Sequence, residues 1–464
     1  MPSVFERTVE LPVSVETAFA WHTRPGALQR LMPPFDPVRV ISFDGSIRDG
    51  AKVIIQVPVL GPISKTWVAE HFSYQENVQF CDRQLSGPFA FLEHSHRFEP
   101  LSSSSSRLVD HIEYRPPLGP FGGLLQGMIR GKMQRAFAYR HRLLLEDLKR
   151  HAAYAQRPRL KIAITGSTGL VASALIPFLT TGGHQVVRLL RRPAKATHDG
   201  TTSIQWNPDK NEIDSAGLEG VDAVIHLAGE GIAEGRWNAS RKERILSSRV
   251  KSTTLLAETL ARLKTPPKVF FSASAIGYYP PSGDTPLTEQ SAAGNSFLPQ
   301  VCQAWEKATQ PAEQAGIRTV HGRVGVVLTP AGGALAAQLP LFRWGVAGRL
   351  GNGQQYVPWI AIDDLIYAIH HCVQQPEMSG AVNLTAPNPV TNKEFTRTLG
   401  HVLWRPTLLP APAFALRLVL GEMADALLLA SLRVVPAKLQ QTGFTFTCPT
   451  LDSALRHLLG TTVS

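Results

Sequence analysis

The sequence predicts an α/β fold: a doubly wound parallel sheet with a small C-terminal helical lobe, preceded by an α+β unit in which a curved antiparallel sheet grips one long helix. Three observations predict it. Up to about residue 155, strand-like runs follow one another and close on a single long helical pattern; beyond it, short apolar runs alternate with helical ones. A glycine-spaced turn, Gly166-Ser167-Thr168-Gly169, stands between an apolar strand and a helix. Finally, the 464 residues are 44% apolar against 18% charged, which can fill two or three cores and excludes a mainly disordered chain.

The first unit, 1–150, opens on an alternating strand at 5–11, and Pro12 and Ser14 mark the start of a helix that Ser14 can cap. Strand-like runs follow at 38–43, 51–58, 65–72, 77–84, 90–98 and 107–114, with the polar stretch 102–106 as a hairpin loop. A helix at about 125–150 closes the unit. Ile129, Met133, Phe137, Leu144 and Leu148 make its apolar face, and Arg130, Arg135, Arg142 and Lys149 lie mostly off it. His94 and His96 share one face of a strand, with His111 close in sequence. A His-x-His pair can hold a metal, but with no third ligand at a recognised spacing these are read as cavity-lining or surface histidines, and no metal is expected. Residues 151–159 are small, polar and basic around Pro158 and suit a linker.

The second unit, 160–400, begins with the apolar strand 159–165 and the glycine turn. Gly166 permits the tight turn, and Gly169 lets a pyrophosphate approach the backbone. Ala172 stands where a third glycine would ease helix–strand packing. Thr165, Ser167, Thr168 and Leu170 complete the candidate phosphate loop, because the helix that follows offers free N–H groups to an anion. The competing reading is an ordinary strand–turn–helix corner. The second strand ends in Arg188-Leu189-Leu190-Arg191-Arg192-Pro193, with no acid to hold ribose hydroxyls. A guanidinium can pair with a 2′-phosphate, so NADP(H) is expected over NAD(H); otherwise Arg191 and Arg192 are a solvated loop. The run 222–229 ends in Leu227, Ala228 and Gly229, small enough at the end for a cofactor to cross, with His226 as a packed core residue. Further strands fit at 203–206, 268–272 and 318–328, and helices at about 239–263 and 298–315. The C-terminal lobe, 405–464, is helical.

Charge and cysteine usage bound the partners. The net charge of +11 admits anionic ligands, but the basic residues are scattered and no nucleic-acid-binding motif occurs, so no nucleic-acid partner is expected. Four well-separated cysteines fit neither a disulfide framework nor a zinc site. Residues 1–7 lack the apolar stretch of a signal peptide, and a cytoplasmic protein is expected. The most membrane-like segment, 411–432, carries Arg417, Glu422 and Asp425 and is read as a packed amphipathic helix with no membrane span.

The order of elements in 1–150, with Gly87-Pro88-Phe89, His94, His96-Arg97-Phe98, Leu108, Asp110, Tyr114 and Pro116, resembles the START/SRPBCC helix-grip family. That resemblance implies an apolar cavity holding a hydrophobic small molecule. Residues 160–460 resemble the short-chain dehydrogenase/reductase superfamily, in particular its epimerase family of NADP-binding Rossmann-fold proteins. The matching residues are TGSTGL at 165–170, HLAGE at 226–230, RW at 236–237, SR at 248–249, SASAIGYY at 272–279, AWE at 304–306, RVGVVL at 323–328, PWIAIDD at 358–364 and NLTAPNPVTN at 383–392. The resemblance places Ser274 where a hydroxyl donor to a substrate carbonyl lies, and Arg249 on the cofactor side. It places the superfamily's Tyr-x-x-x-Lys at Leu298 and Cys302, neither of which can do that chemistry. Tyr278, Tyr279 and Glu230 are the candidate replacements, and Arg323 could orient an anionic substrate. Asp363 and Asp364 are read as packing and helix-capping residues. The function expected is an NADP(H)-binding oxidoreductase or epimerase-like protein acting on a small-molecule carbonyl or alcohol, catalysed through Ser274, Tyr278 and Glu230. The alternative is a catalytically inactive NADP(H)-dependent sensor or binding protein.

Overall fold

In the computed structural model, residues 2–36, 38–60, 63–117, 122–123, 125–192, 199–233 and 235–461 are described. The N-terminal unit runs β1 (Ser3–Leu11), α1 (Val15–Thr23), α2 (Ala27–Leu31), β2 (Arg39–Phe43), β3 (Lys52–Leu60), β4 (Ile63–Gln75), β5 (Gln79–Ser86), β6 (Phe91–Ser102), β7 (Ser105–Arg115) and α3 (Gln126–Ala152). Its strands form one antiparallel sheet in the order β1-β7-β6-β5-β4-β3-β2, so the first and last strands pair and the rest meander outward. Ser14 caps α1 by accepting from the Thr17 N–H. Alternation along the strands turns one face toward α3. That face carries two apolar clusters, one around Phe19, Phe80, Phe98, Leu108, Leu144 and Leu148, the other around Phe5, Leu92, Ile112, Tyr114 and Phe137.

The second unit begins with β8 (Lys161–Thr165), α4 (Leu170–Thr181), β9 (Gln185–Leu190), β10 (Thr202–Asn207), β11 (Glu212–Ile213), β12 (Ala223–His226), α5 (Ala239–Ala261) and β13 (Val269–Ala275). It continues with α6 (Phe297–Lys307), α7 (Gln310–Gln314), β14 (Arg318–Val324), β15 (Val326–Leu328), α8 (Gly333–Arg343), β16 (Tyr356–Val357), β17 (Trp359–Ala361), α9 (Ile362–Gln374) and β18 (Gly380–Leu384). After β19 (Val390–Thr391) and α10 (Asn392–Leu403), the chain ends in α11 (Ala413–Leu420), a π-helical turn at Ala424–Leu429, α12 (Ala437–Gln441) and α13 (Leu451–Leu459). The main sheet has the order β11-β10-β9-β8-β12-β13-β14-β18 and is parallel apart from β11. Strand order reverses between β8 and β12, which opens a crevice at their carboxyl ends, the position where doubly wound sheets take ligands. Buried apolar helix faces cover both sides of this sheet.

Three expectations change. The strand expected at 318–328 is broken at Gly325, where a Cβ would lie 2.7 Å from the Pro358 carbonyl oxygen. Beyond the break, β15 leaves the main sheet and pairs with β17. The helix expected at 298–315 is two helices, α6 and α7. Segment 411–432 is no packed amphipathic helix: Gly421, at φ +62°, ends α11, and α11 buries no side chain, leaving Phe414 and Leu418 about three-quarters exposed (73% and 75%). No helix among the described residues is long and apolar enough to cross a membrane.

The two units meet along α3, whose second face packs on the other unit. Arg30 of α2 is buried between Asp147 of α3 (2.9 Å) and Asp363 of α9 (2.7 Å), and Tyr367 donates to Asp147 at 2.6 Å. His151 stacks on Phe178 at 4.3 Å between ring centroids, and Tyr139 stacks on His457 at 4.8 Å. Asp363 also receives His457 (2.9 Å), while Asp364 accepts the N–H groups of Thr447 (2.7 Å) and Cys448 (3.0 Å). Both carboxylates tie distant segments to the first turn of α9, whose N-cap, Ala361, has no polar side chain.

Candidate functional site

The glycine turn lies at the carboxyl end of β8, in the crevice. Gly166 has φ +64°, and a Cβ there would meet the backbone of Leu227 at 2.8 Å and the Ala228 nitrogen at 2.9 Å, so no other residue fits without moving that strand end. Gly169 is the N-cap of α4 and has no side chain to occupy the free N–H groups. Thr165 fixes the far wall: its hydroxyl accepts from the N–H groups of Leu227 (3.1 Å) and Ala228 (3.3 Å). Its own proton then goes to His226 Nδ1 at 2.6 Å, so His226 Nε2 donates to Thr253 at 3.0 Å. Burial pushes the His226 pKa down to about 3, which leaves it a neutral structural residue. Ser167 is buried, and among the described residues its Oγ has no hydrogen-bond partner; Thr168 is exposed, and Leu170 packs beside Gly332.

Gly229 extends this shelf. The Arg249 guanidinium lies 3.4 Å from where a Gly229 Cβ would be and 4.9 Å from the Trp305 ring. It donates to the carbonyl oxygens of Ile245 and Glu230, both at 3.0 Å, and burial lowers its pKa below the usual arginine value. Among the described residues no carboxylate pairs with it. A half-buried cation beside a shelf without side chains suits an anion. The Glu230 carboxylate is held by Arg241. Arg191 and Arg192 are exposed after β9, and Arg191 reaches Asp209 at 3.2 Å across a solvated gap, a pair weak enough to exchange for another anion. Arg188 pairs with Asp199. Pro193 lies outside the described residues.

A second group of side chains stands at the carboxyl ends of β13 and β14, where Ser274 and Arg323 are register partners. Ser274 donates to Glu306 at 2.7 Å. Glu306 also takes Arg323 in a bidentate pair (2.8 and 2.9 Å), and that pair overcomes burial to raise the Arg323 pKa. Arg323 donates to Tyr279 (2.9 Å), which donates to Asn383 (2.7 Å). The Tyr278 ring lies flat on the same guanidinium, 3.4 Å from its central carbon. Among the described residues, the Tyr278 hydroxyl has no hydrogen-bond partner. Leu298 and Cys302 face Gly277, and the Cys302 thiol sits 3.6 Å from the Ala275 carbonyl oxygen with its pKa pushed up to about 12 by burial.

Ser274, Tyr278, Tyr279 and Arg323 are therefore gathered into one cluster. Glu230, Arg249 and Gly229 form another, across α6. Arg323 spends its donors on Glu306 and Tyr279, so it holds the floor of the site. Sequence reasoning quoted Glu306 within a motif without giving it a role. The available signal was its spacing, one turn beyond Cys302 on a helix whose Val301, Cys302 and Trp305 are buried.

A further set of ionisable residues lies inside the N-terminal unit. His94 and His96 point inward between Asp82 and Asp110, and His141 of α3 reaches Asp110 as well. His111 points outward to Glu6 at 2.9 Å and takes no part. Burial alone would lower the His94 pKa, but the carboxylates of Asp110 and Asp82 raise it to about 9. His96 stacks on Phe80 and His94 meets Phe137, so this polar group divides the two apolar clusters.

The comparisons with known proteins agree with this division. The family model described as "NAD dependent epimerase/dehydratase family" matches residues 162–384, "Polyketide cyclase / dehydrase and lipid transport" matches 11–140, and a domain of unknown function (DUF1731) matches 411–458. Epimerase family protein Mb2239 of Mycobacterium bovis is 42% identical over 64% of this chain and 96% of its own length. The solved nucleoside-diphosphate sugar epimerase from Corynebacterium glutamicum is 34% identical, with a TM-score of 0.81 over 98% of this chain and 90% of its own. Human epimerase family protein SDR39U1 (isoform 2), solved with NADPH, is 32% identical, with a TM-score of 0.60 over 65% of this chain and all of its own. The chain belongs to the epimerase family of Rossmann-fold proteins and carries at its N-terminus a helix-grip domain of the polyketide cyclase and lipid-transport type.

Proposed function

We propose that the chain is an NADP(H)-binding oxidoreductase or epimerase-like enzyme acting on a carbonyl or secondary alcohol. The observation that carries this reading is the shelf formed by Gly166, Gly169 and Gly229 beside the uncompensated Arg249, a cradle that any Cβ would narrow. The NADPH in the human relative supports the same cofactor here. In this reading α4 and the loop Thr165–Leu170 hold the pyrophosphate, Leu227, Ala228 and Gly229 let the cofactor lie across the sheet, and Arg249 balances its charge. Arg191 and Arg192 take the 2′-phosphate. A bound nicotinamide supplies the hydride chemistry. Tyr278, with its hydroxyl unengaged, donates or accepts the proton at the substrate oxygen. Arg323, locked by Glu306, positions that ring, and Ser274, which donates to Glu306, is the hydroxyl that turns to the substrate carbonyl. Glu230, steadied by Arg241, is the second acid–base candidate. The chain then works as a grip domain (1–150) taking a hydrophobic ligand, a linker (151–159), the cofactor domain (160–400) and the helical lobe (405–464).

Titration of the full-length protein with NADPH and NADH, beside an Arg191→Ala/Arg192→Ala variant, tests the cofactor assignment. The expected result is tighter binding of NADPH and loss of that preference in the variant; equal affinities in the wild type would overturn it. Turnover is tested by NADPH oxidation across carbonyl compounds and sugar nucleotides. Leu298 and Cys302 in place of the Tyr-x-x-x-Lys pair favour a second reading, a cofactor-dependent sensor without catalysis. Tight NADPH binding with no turnover across the panel selects it.

A further inference from the structure

The geometry points to a divalent transition-metal site of the zinc type inside the helix-grip domain, with Asp82, His94 and His96 as ligands and Asp110 behind them. Asp82 Oδ2 lies 3.4 Å from His94 Nδ1 and 3.5 Å from His96 Nε2. Both distances are long for good hydrogen bonds. They match the edge of a tetrahedron whose bonds are about 2.0–2.2 Å, since such an edge measures about 3.3–3.6 Å. One atom from each of these three residues lies within 4.8 Å of the others. On the opposite side His94 Nε2 hydrogen-bonds Asp110 Oδ1 at 3.0 Å, and His96 Nδ1 lies 2.7 Å from the same oxygen without hydrogen-bond geometry. A carboxylate behind a ligating imidazole fixes the tautomer and strengthens the ligand. Asp110 is held in turn by His141 at 2.5 Å.

The donor set of two imidazoles and one carboxylate leaves a fourth position open, as in catalytic zinc sites. Solvent reaches the group from the Asp82 side, whose side chain is 19% exposed against 3% for Asp110. The ligands also sit on rigid structure, because β5, β6 and β7 are neighbouring strands and Asp82 and His94 are register partners. A ligand entering the grip would meet a metal-bound water or offer its own oxygen to the ion. The buried trio His151, His184 and His370 is a poorer site. His184 Nδ1 accepts the Leu160 N–H at 3.0 Å, so its Nε2 carries the ring proton and cannot ligate, and Arg24 and Arg159 add positive charge beside it.

Chelator-treated full-length protein titrated with Co(II), followed by its visible absorption and by competition with Zn(II), tests the assignment. The expected result is one Co(II) per chain with the absorption of a tetrahedral nitrogen–oxygen site. Binding should weaken tenfold or more in Asp82→Ala, and about 10–100-fold in Asp110→Asn. His370→Ala should leave it unchanged. The wild type alone can refute the site: no cobalt absorption and no rise in melting temperature with Zn(II) would overturn it. Loss of binding in His370→Ala with Asp82→Ala unaffected would overturn it equally.

Discussion

Glu306 satisfies Ser274 and Arg323 at once, and the two partners are nearly enclosed, with the Arg323 side chain 4% exposed. Removing the carboxylate charge leaves a buried guanidinium without its counter-ion, and breaking such a pair costs about 3–5 kcal/mol. Glu306→Gln should therefore lower unfolding stability by about that amount and release the Ser274 hydroxyl. Urea unfolding of the variant checks the first part; a loss under about 1 kcal/mol would mean that water reaches Arg323. Arg249 is the contrasting residue. Among the described residues it meets carbonyl oxygens and the Trp305 ring but no carboxylate.

At the scale of elements, legibility depended on whether a segment's partners were close in sequence. The strand–turn–helix at 161–181 follows from local rules, because the turn needs the positive φ of Gly166, although the space that its missing Cβ leaves is filled by the distant Leu227 and Ala228. The grip strands follow from period-two alternation. Gly325 was not legible as a break, because the reason for it is the Pro358 carbonyl, contributed by a loop far along the chain. Of the candidate site, the glycine turn between β8 and α4 could be read from spacing. The cluster Ser274–Glu306–Arg323–Tyr279 could not, since it joins two strands, a helix and a turn. Helix α11 shows the limit of amphipathic reasoning: Phe414 and Leu418 stand four residues apart as on a packed helix face, yet nothing among the described residues covers them. Phe414→Ser/Leu418→Ser should therefore change the melting temperature by less than about 2 °C, as exposed substitutions lie within about ±0.5 kcal/mol. A drop of 5 °C or more would show that α11 is covered in solution.

Over the whole molecule, the buried Arg30–Asp147–Asp363–Tyr367 network joins the two units electrostatically. Arg30→Ala leaves two buried carboxylates facing each other and should cost about 3–5 kcal/mol. Calorimetry should then resolve two transitions where the wild type shows one; a single unshifted transition in the variant would contradict the coupling. Stability should also depend on pH through histidines that burial holds neutral. His184, His226 and His371 have pKa values of about 4, 3 and 4. Unfolded histidine titrates near ~6.5, so as pH falls the unfolded state takes up protons first. The contribution is complete above about pH 6.5 and is lost toward pH 4, by up to about 1.4 kcal/mol per histidine per pH unit. Melting temperatures at pH 6.0 and 4.5, below the window in which His94 (pKa about 9) acts in the opposite direction, measure this, and a rise in melting temperature toward pH 4.5 would contradict it.

Helix α3 belongs to two cores, and synthesis delivers them at different times. The grip sheet and α3 leave the ribosome first, with Tyr139, Asp147 and His151 already on the outer face of the helix. Their partners include Tyr367 and His457, and that of the neighbouring Arg30 is Asp363. The last of these are made roughly 300 residues later, about 15–60 s at 5–20 residues per second. Through that interval the nascent grip domain displays this stripe with Arg30 lacking Asp363 and Asp147 lacking the Tyr367 hydroxyl. The N-terminal third of the chain thus carries a surface that is completed only when the remainder arrives to cover it.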